Sequence, residues 1–208
     1  MVKKVLITGI TGKFGNIFLD YFIKNNYHVI GTSRSQKSLD QLKSKFGLDK
    51  KQFTSMVVDF SSDHGVQDVC KNLALLNIEP DILINNARNL DNLRVEDSGI
   101  SSRSNFLNEF LPNVIVPYEL TMFLSKNSKK LSKVINIGSQ YGLSASNPSL
   151  YDNYIKDSAI QYGISKAAVC HLTKELAVRL ASKKIQINCI AYGGLEGRVN
   201  KDFKLRFS

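Results

Sequence analysis

The stretch "VLITGITGKFGNIF" (residues 5–18) decides how this chain is read. A short branched apolar run leads into Gly9, Gly12 and Gly15. A stripe of Phe14, Ile17, Phe18, Tyr21 and Phe22 follows at helical spacing and ends at "NN" (25–26). That order predicts a strand, a glycine turn and a helix. Gly9 suits the tight turn, Gly12 lets bare backbone approach a pyrophosphate, and Gly15 lets the helix pack close to the strand. The helix N-terminus then turns free N–H groups toward the phosphates. A turn that uses glycine for structure alone is the competing reading.

Further apolar runs lie outward from this unit: "VIGTS" (29–33), "SMVVD" (55–59), "DILIN" (81–85), "KVINI" (133–137) and "IQINCI" (185–190). Each is strand length and rich in Val or Ile without strict polar alternation, as expected of strands covered on both faces. Helical patterns lie between them, including Ile164, Ala168, Leu172, Leu176 and Leu180. Strand and helix alternate, so the fold expected is an α/β doubly wound parallel sheet. Polar loops are expected at 86–103 and 142–161, beyond strand ends where such sheets bind ligands.

Hydrophobic residues make up 43% and charged residues 22% of the 208, a globular balance. No apolar run has bilayer-spanning length, and the N-terminal run meets Gly9, Gly12 and Lys13 too soon for a secretory signal. A cytoplasmic location and no membrane partner are expected. Cys70, Cys170 and Cys189 show no metal spacing and no close pair, so they read as reduced buried thiols. His28, His64 and His171 are scattered, and no metal site is expected. The net charge of +10 is spread over both halves of the chain. It reads as a solvated lysine-rich surface or as attraction for anionic ligands such as nucleotides. No basic–aromatic stripe points to nucleic acid.

The second strand ends in "GTSRS" (31–35). Ser33 and Arg34 stand where a carboxylate would hold a free ribose 2′-hydroxyl. A guanidinium suits a 2′-phosphate, which favours NADP(H) over NAD(H).

In "QYGISKAAV" (161–169), Lys166 follows Tyr162 by one helical turn. A phenol is a poor acid near neutral pH, and a neighbouring ammonium lowers its pKa. Ser139 lies just past the fifth strand in "INIGSQYG" (135–142).

Taken together these pieces resemble the short-chain dehydrogenase/reductase family, and the resemblance covers nearly the whole chain. "TGITGKFG" (8–15) resembles the cofactor turn, bringing in Gly9, Thr11, Gly12, Lys13, Phe14 and Gly15. "DF" (59–60) resembles the adenine-contacting pair Asp59 and Phe60. "NNA" (85–87), with Asn86 and Ala87, resembles the sheet-stabilising motif. "NVIVPYELT" (113–121) supplies Asn113, and "AYGG" (191–194) supplies Gly193. The resemblance implies one NAD(P)-binding Rossmann domain over 1–208 with strand order 3-2-1-4-5-6. It also implies a carbonyl/alcohol oxidoreductase with Tyr162 as general acid/base. Ser139 would hold the substrate oxygen, Lys166 would bind the nicotinamide ribose and tune Tyr162, and Asn113 would hold a water linking Lys166 to solvent.

Several features depart from the family pattern. The glycine spacing is that of its longer sugar-nucleotide members. Arg88 stands where glycine usually follows "NNA", and reads either as a substrate-anion contact or as a tolerated loop residue. The Ser139–Tyr162 interval is longer than usual and holds Tyr151 and Tyr154 as competing acids, neither with a Lys four residues on. Tyr192 replaces the usual proline. The long loop, "NNAR" and "AYGG" are similar to a flagellin-modification and surface-glycan subgroup, which implies a sugar-derived substrate. After the sixth strand, "RVNKDFKLRFS" (198–208) offers neither the family's substrate-covering segment nor its seventh strand. Two rivals remain open: a shortened non-catalytic dinucleotide-binding regulatory module, and a nucleotide-sugar epimerase or dehydratase. A homodimer or homotetramer is expected from the family's habit of pairing the helices that carry Asn113 and Tyr162.

Overall fold

The computed structural model describes residues 2–89, 93, 95–194 and 201–207. Its strands are β1 (Lys4–Ile7), β2 (His28–Ser33), β3 (Phe53–Val57), β4 (Ile82–Asn85), β5 (Lys133–Ser139) and β6 (Gln186–Tyr192). They form one parallel sheet, as the alternating pattern implies, in the order β3-β2-β1-β4-β5-β6 that the family resemblance implies. Successive residues of a strand point to opposite faces. Val5 and Ile7 therefore join one core with Leu19 and Phe22 of α1 (Lys13–Lys24) and Leu39 and Leu42 of α2 (Gln36–Phe46). Leu6 points into the other core, with Val69 of α3 (Gly65–Leu75).

The chain then forms α4 (Arg103–Phe110), a π-helical turn over Leu111–Ile115, and α5 (Val116–Asn127). Pro112 lies in that turn and has no N–H to donate back along the helix, so the wider winding is tolerated there. The turn carries Asn113 inward, where it is buried. Beyond β5, the long excursion contains α6 (Tyr154–Asp157) and leads into α7 (Ile160–Arg179). Leu120 and Leu124 of α5 and Leu176 and Leu180 after the long middle of α7 complete the second core. Polar links run between the layers. Asn85 Nδ2 donates to Asn136 Oδ1 (2.8 Å), and Asn136 Nδ2 donates to Thr173 Oγ1 (2.9 Å), tying β4 to β5 and α7.

Two features differ from expectation. Cys170 on α7 and Cys189 on β6 form a close pair, with sulfurs 3.6 Å apart, because these two elements pack directly on each other. Of the three thiols, Cys70 is buried, and Cys170 and Cys189 are partly exposed. The segment after β6 contains a short helix, α8 (Lys201–Phe207). Phe203 packs edge-on against Tyr151 (5.3 Å), and Arg206 pairs with Asp152 (2.5 Å). A reduced cover thus rests on the long excursion. Among the described residues β6 is an edge strand and no seventh strand follows it.

Candidate active site

The glycine turn is built as its spacing suggests. Gly9 has φ +66°, a left-handed conformation that disfavours side chains, and a Cβ there would lie 2.8 Å from Ala87 Cα. A Cβ on Gly15 would lie 2.4 Å from the Ile10 carbonyl oxygen. Gly12 is different: it is exposed, and its nearest neighbour would stand 3.3 Å away. It caps α1 without a side-chain acceptor, so bare backbone and the first N–H groups face the cleft. This cradle fits a pyrophosphate.

The turn is held by a residue the sequence did not single out. Thr8 Oγ1 accepts from the N–H groups of Asn86 and Ala87, both at 2.9 Å. Asn86 Nδ2 donates back to the carbonyls of Thr8 (2.8 Å) and Gly9 (3.0 Å). The ends of β1 and β4 are thereby laced together. Thr8 reads in sequence as the tail of an apolar run; only its partners from β4 reveal its part.

On the β2–β3 side, Ser33 is hydrogen-bonded to the Thr11 hydroxyl (3.0 Å) and accepts from the Ser35 N–H (3.3 Å). Arg34 is exposed at the cleft rim. The Asp59 carboxyl is held below its usual range by the Ser61 N–H and hydroxyl, with Arg34 adding to the effect. Phe60 is mostly core and only edges into the cleft. Phe14 stacks on Tyr192 at 4.4 Å, so the tyrosine that replaces the family's proline closes over the start of α1. Lys13 and Gly193 stand exposed at the rim.

These residues share one cleft of about 1770 Å³ with Ser139, Tyr162 and Lys166. Gly15 and Asn113 stand behind its wall. Ser139 is buried, and its Oγ accepts from the Tyr141 N–H (3.2 Å), which leaves its own proton free to donate. Lys166 is 4% exposed and sits 5.8 Å from the Tyr162 ring centre. Its Nζ donates to the Ile137 carbonyl (2.7 Å) and directly to Asn113 Oδ1 (3.0 Å). Burial first, and then Arg88, lower the Lys166 pKa to about 8, while Glu109 opposes the shift. Arg88 lies over the Tyr162 ring at 4.8 Å, so the phenol has two cations near its face.

Competing tyrosines are accounted for by their partners. Tyr151 donates to the Tyr141 hydroxyl (3.5 Å), and Tyr154 accepts from Ser146 (3.3 Å). Tyr141 was not considered from sequence; it lines the same cleft, but burial and then Tyr151 push its pKa upward.

A glycine-turn sheet whose carboxyl edge gathers Ser, Tyr and Lys in one cleft defines a nicotinamide-dinucleotide oxidoreductase. The family described as short chain dehydrogenase matches residues 3–206, and the chain belongs to that family. A rhamnolipids-biosynthesis 3-oxoacyl-[acyl-carrier-protein] reductase of Pseudomonas aeruginosa is 30% identical over 146 residues. That match covers 69% of this chain and 54% of the reductase, so the chain spans about half the length of that relative. A post-translational flagellin modification protein A of Campylobacter coli is 22% identical, covering 93% of this chain and 77% of its own. Among solved structures, a short chain dehydrogenase of Leptospira borgpetersenii with bound NAD+ superposes with a TM-score of 0.82 at 27% identity, covering 99% of this chain and 76% of that one. ElxO with NADP bound gives 0.79 at 28% identity, covering 93% and 74%. The fold and the family are accordingly those of oxidoreductases that use a nicotinamide dinucleotide. Among the described residues no helix is long and apolar enough to cross a membrane.

Proposed function

We propose that the protein interconverts a carbonyl and an alcohol, with Tyr162 as general acid/base and NADP(H) preferred over NAD(H). The observation that carries this reading is the buried Lys166 ammonium beside the Tyr162 ring, in the cleft that also holds Ser139. The dinucleotide supplies or accepts the hydride. In reduction the Ser139 hydroxyl orients the carbonyl oxygen, and Tyr162 delivers the proton to it. Lys166 places a positive charge beside that phenol. The cleft draws on residues from Gly9 to Phe207, which supports one dinucleotide-binding domain over 1–208. Titration with NADPH followed by nicotinamide fluorescence tests binding. NADPH absorbance across keto-sugars and small ketones tests turnover. Binding without reduction of any carbonyl would favour a regulatory module instead.

The cofactor preference rests on Arg34 at the rim beside Ser33, with no carboxylate at the end of β2. Arg34→Ala is expected to weaken NADPH about tenfold or more while leaving NADH nearly unchanged, since one charge-assisted contact is worth roughly 1.5–3 kcal/mol. Equal losses for both cofactors in a fluorescence titration would overturn the preference.

A sugar-derived substrate is supported by hydroxyl-bearing Ser144, Ser146 and Ser158 in the excursion lining the cleft, and by the similarity to the flagellin modification protein. Pairing of subunits is supported by exposed Ile115 and Tyr118 before and on α5, and by exposed Ile164 and Val178 on α7. Light scattering is expected to give a dimer or tetramer mass. A monomer at micromolar concentration would refute the pairing.

A further inference from the structure

Glu109 is the one fully buried carboxylate among the described residues' buried polar groups, and nothing in the reading above uses it. It lies on α4, one turn before Asn113 across the start of the π-helical turn. Asn113 Nδ2 donates to Glu109 Oε1 at 2.6 Å and to Ser165 Oγ at 3.2 Å. The other side of the same amide, Oδ1, accepts from Lys166 Nζ. The amide therefore has its acceptor toward a cation and its donor toward a carboxylate. Turning it over would break both contacts, so the two charged partners fix its orientation.

We infer that Glu109 is the counter-ion of the catalytic lysine, coupled to it through Asn113, and that its negative charge keeps Lys166 protonated in the closed wall of the cleft. This rests on the proposed role of Lys166. A buried ammonium is expensive without an opposing charge, and both groups that accept directly from Lys166 are neutral. The carboxylate just beyond Asn113 supplies the missing charge. Glu109 Oε2 has no hydrogen-bond partner, and Arg88, following β4, faces the same carboxylate as Lys166. One anion thus serves two cations. The remaining groups that bear on Lys166 are the Cys170 and Cys189 thiols behind it and Tyr162 beside it. Burial raises the Glu109 pKa, while Arg88, Asn113 and Lys166 favour its ionised form. Glu109 is a positioning residue: it acts through Asn113 and Lys166.

Glu109→Gln keeps the size and an acceptor for Asn113 but removes the charge. Without the anion the ammonium gives up its proton at lower pH. Lys166 in the variant is expected to be at least tenfold more acidic, seen in the 13Cε resonance that disappears in Lys166→Ala. The alkaline limb of kcat should move to lower pH by the same amount, with little change in NADPH affinity. Glu109→Asp, which retains the anion, should show little of that shift. An unmoved Lys166 titration in Glu109→Gln would overturn the inference. If the Gln variant does not fold, the wild type decides: the Glu109 13Cδ resonance should be that of an ionised carboxylate at pH 8, and a protonated carboxyl there rules out a counter-ion. The resonances need no substrate. Failure to find a reducible carbonyl would count against the proposed reaction and leave this measurement standing.

Discussion

Tyr162→Phe is expected to bind NADPH within about twofold of wild type and to lose turnover by roughly 10²–10⁴-fold, the usual contribution of a placed general acid. At about 1.36 kcal/mol per tenfold, this is roughly 3–5 kcal/mol of transition-state stabilisation. The substitution removes one hydroxyl and leaves the ring that Lys166 and Arg88 flank, so the wall of the cleft keeps its shape. Single-turnover NADPH oxidation measures the loss. The companion variant is Tyr141→Phe, which removes a second phenol next to Ser139 in the chain. Burial and Tyr151 already make Tyr141 a weaker acid, so its loss should change kcat by less than about threefold. If the two results are exchanged, Tyr141 is the acid.

Gly15→Ala is expected to damage stability and cofactor binding together. Its new Cβ would fall 2.4 Å from the Ile10 carbonyl oxygen and 2.6 Å from that of Gly9, both backbone atoms. No side chain can swing aside, so the start of α1 must move away from the turn. Overpacking of this kind costs about 1–3 kcal/mol. Urea unfolding should show that loss, and NADPH affinity should fall about tenfold or more as the helix N-terminus leaves the phosphates. Gly12→Ala provides the contrast. Its Cβ would meet only the Gly9 carbonyl oxygen, at 3.3 Å, on an exposed residue with ordinary φ, so stability should stay nearer wild type while NADPH binding falls. If Gly15→Ala unfolds and binds like wild type, the close approach of α1 is not needed.

Much of this architecture was written in local pattern. Branched apolar runs bounded by turns marked all six strands, and their alternation with amphipathic stretches implied a parallel sheet; the order of the strands came from the family resemblance. Gly9, Gly12, Ser139, Tyr162 and Lys166 were legible because each sits at a strand end or one helical turn from a partner. What stayed hidden depends on elements far apart in sequence. Glu109 in "NEF" reads as a solvated acid, and only the packing of α4 against α7 buries it. Cys170 and Cys189 become neighbours only once β6 lies beside α7. Thr8 joins the site through hydrogen bonds from β4. Tyr141 looks like any residue of a turn until the excursion folds over it. The cover at α8 carries no local signal beyond a few aromatics; its contacts with Tyr151 and Asp152 reveal it.

The wider winding at Leu111–Ile115 has an implication for how this chain tolerates change. Five residues in this wider winding turn about as far as four in a regular α-helix, so removing one residue there would let the segment rewind with little rotation of α4 relative to α5. Glu109 and Asn113, now four residues apart, would stand three apart and still share a helix face. The same shortening inside a regular helix would turn its upstream half by about 100° and separate such a pair, so this is the place where the loss of one residue is best absorbed.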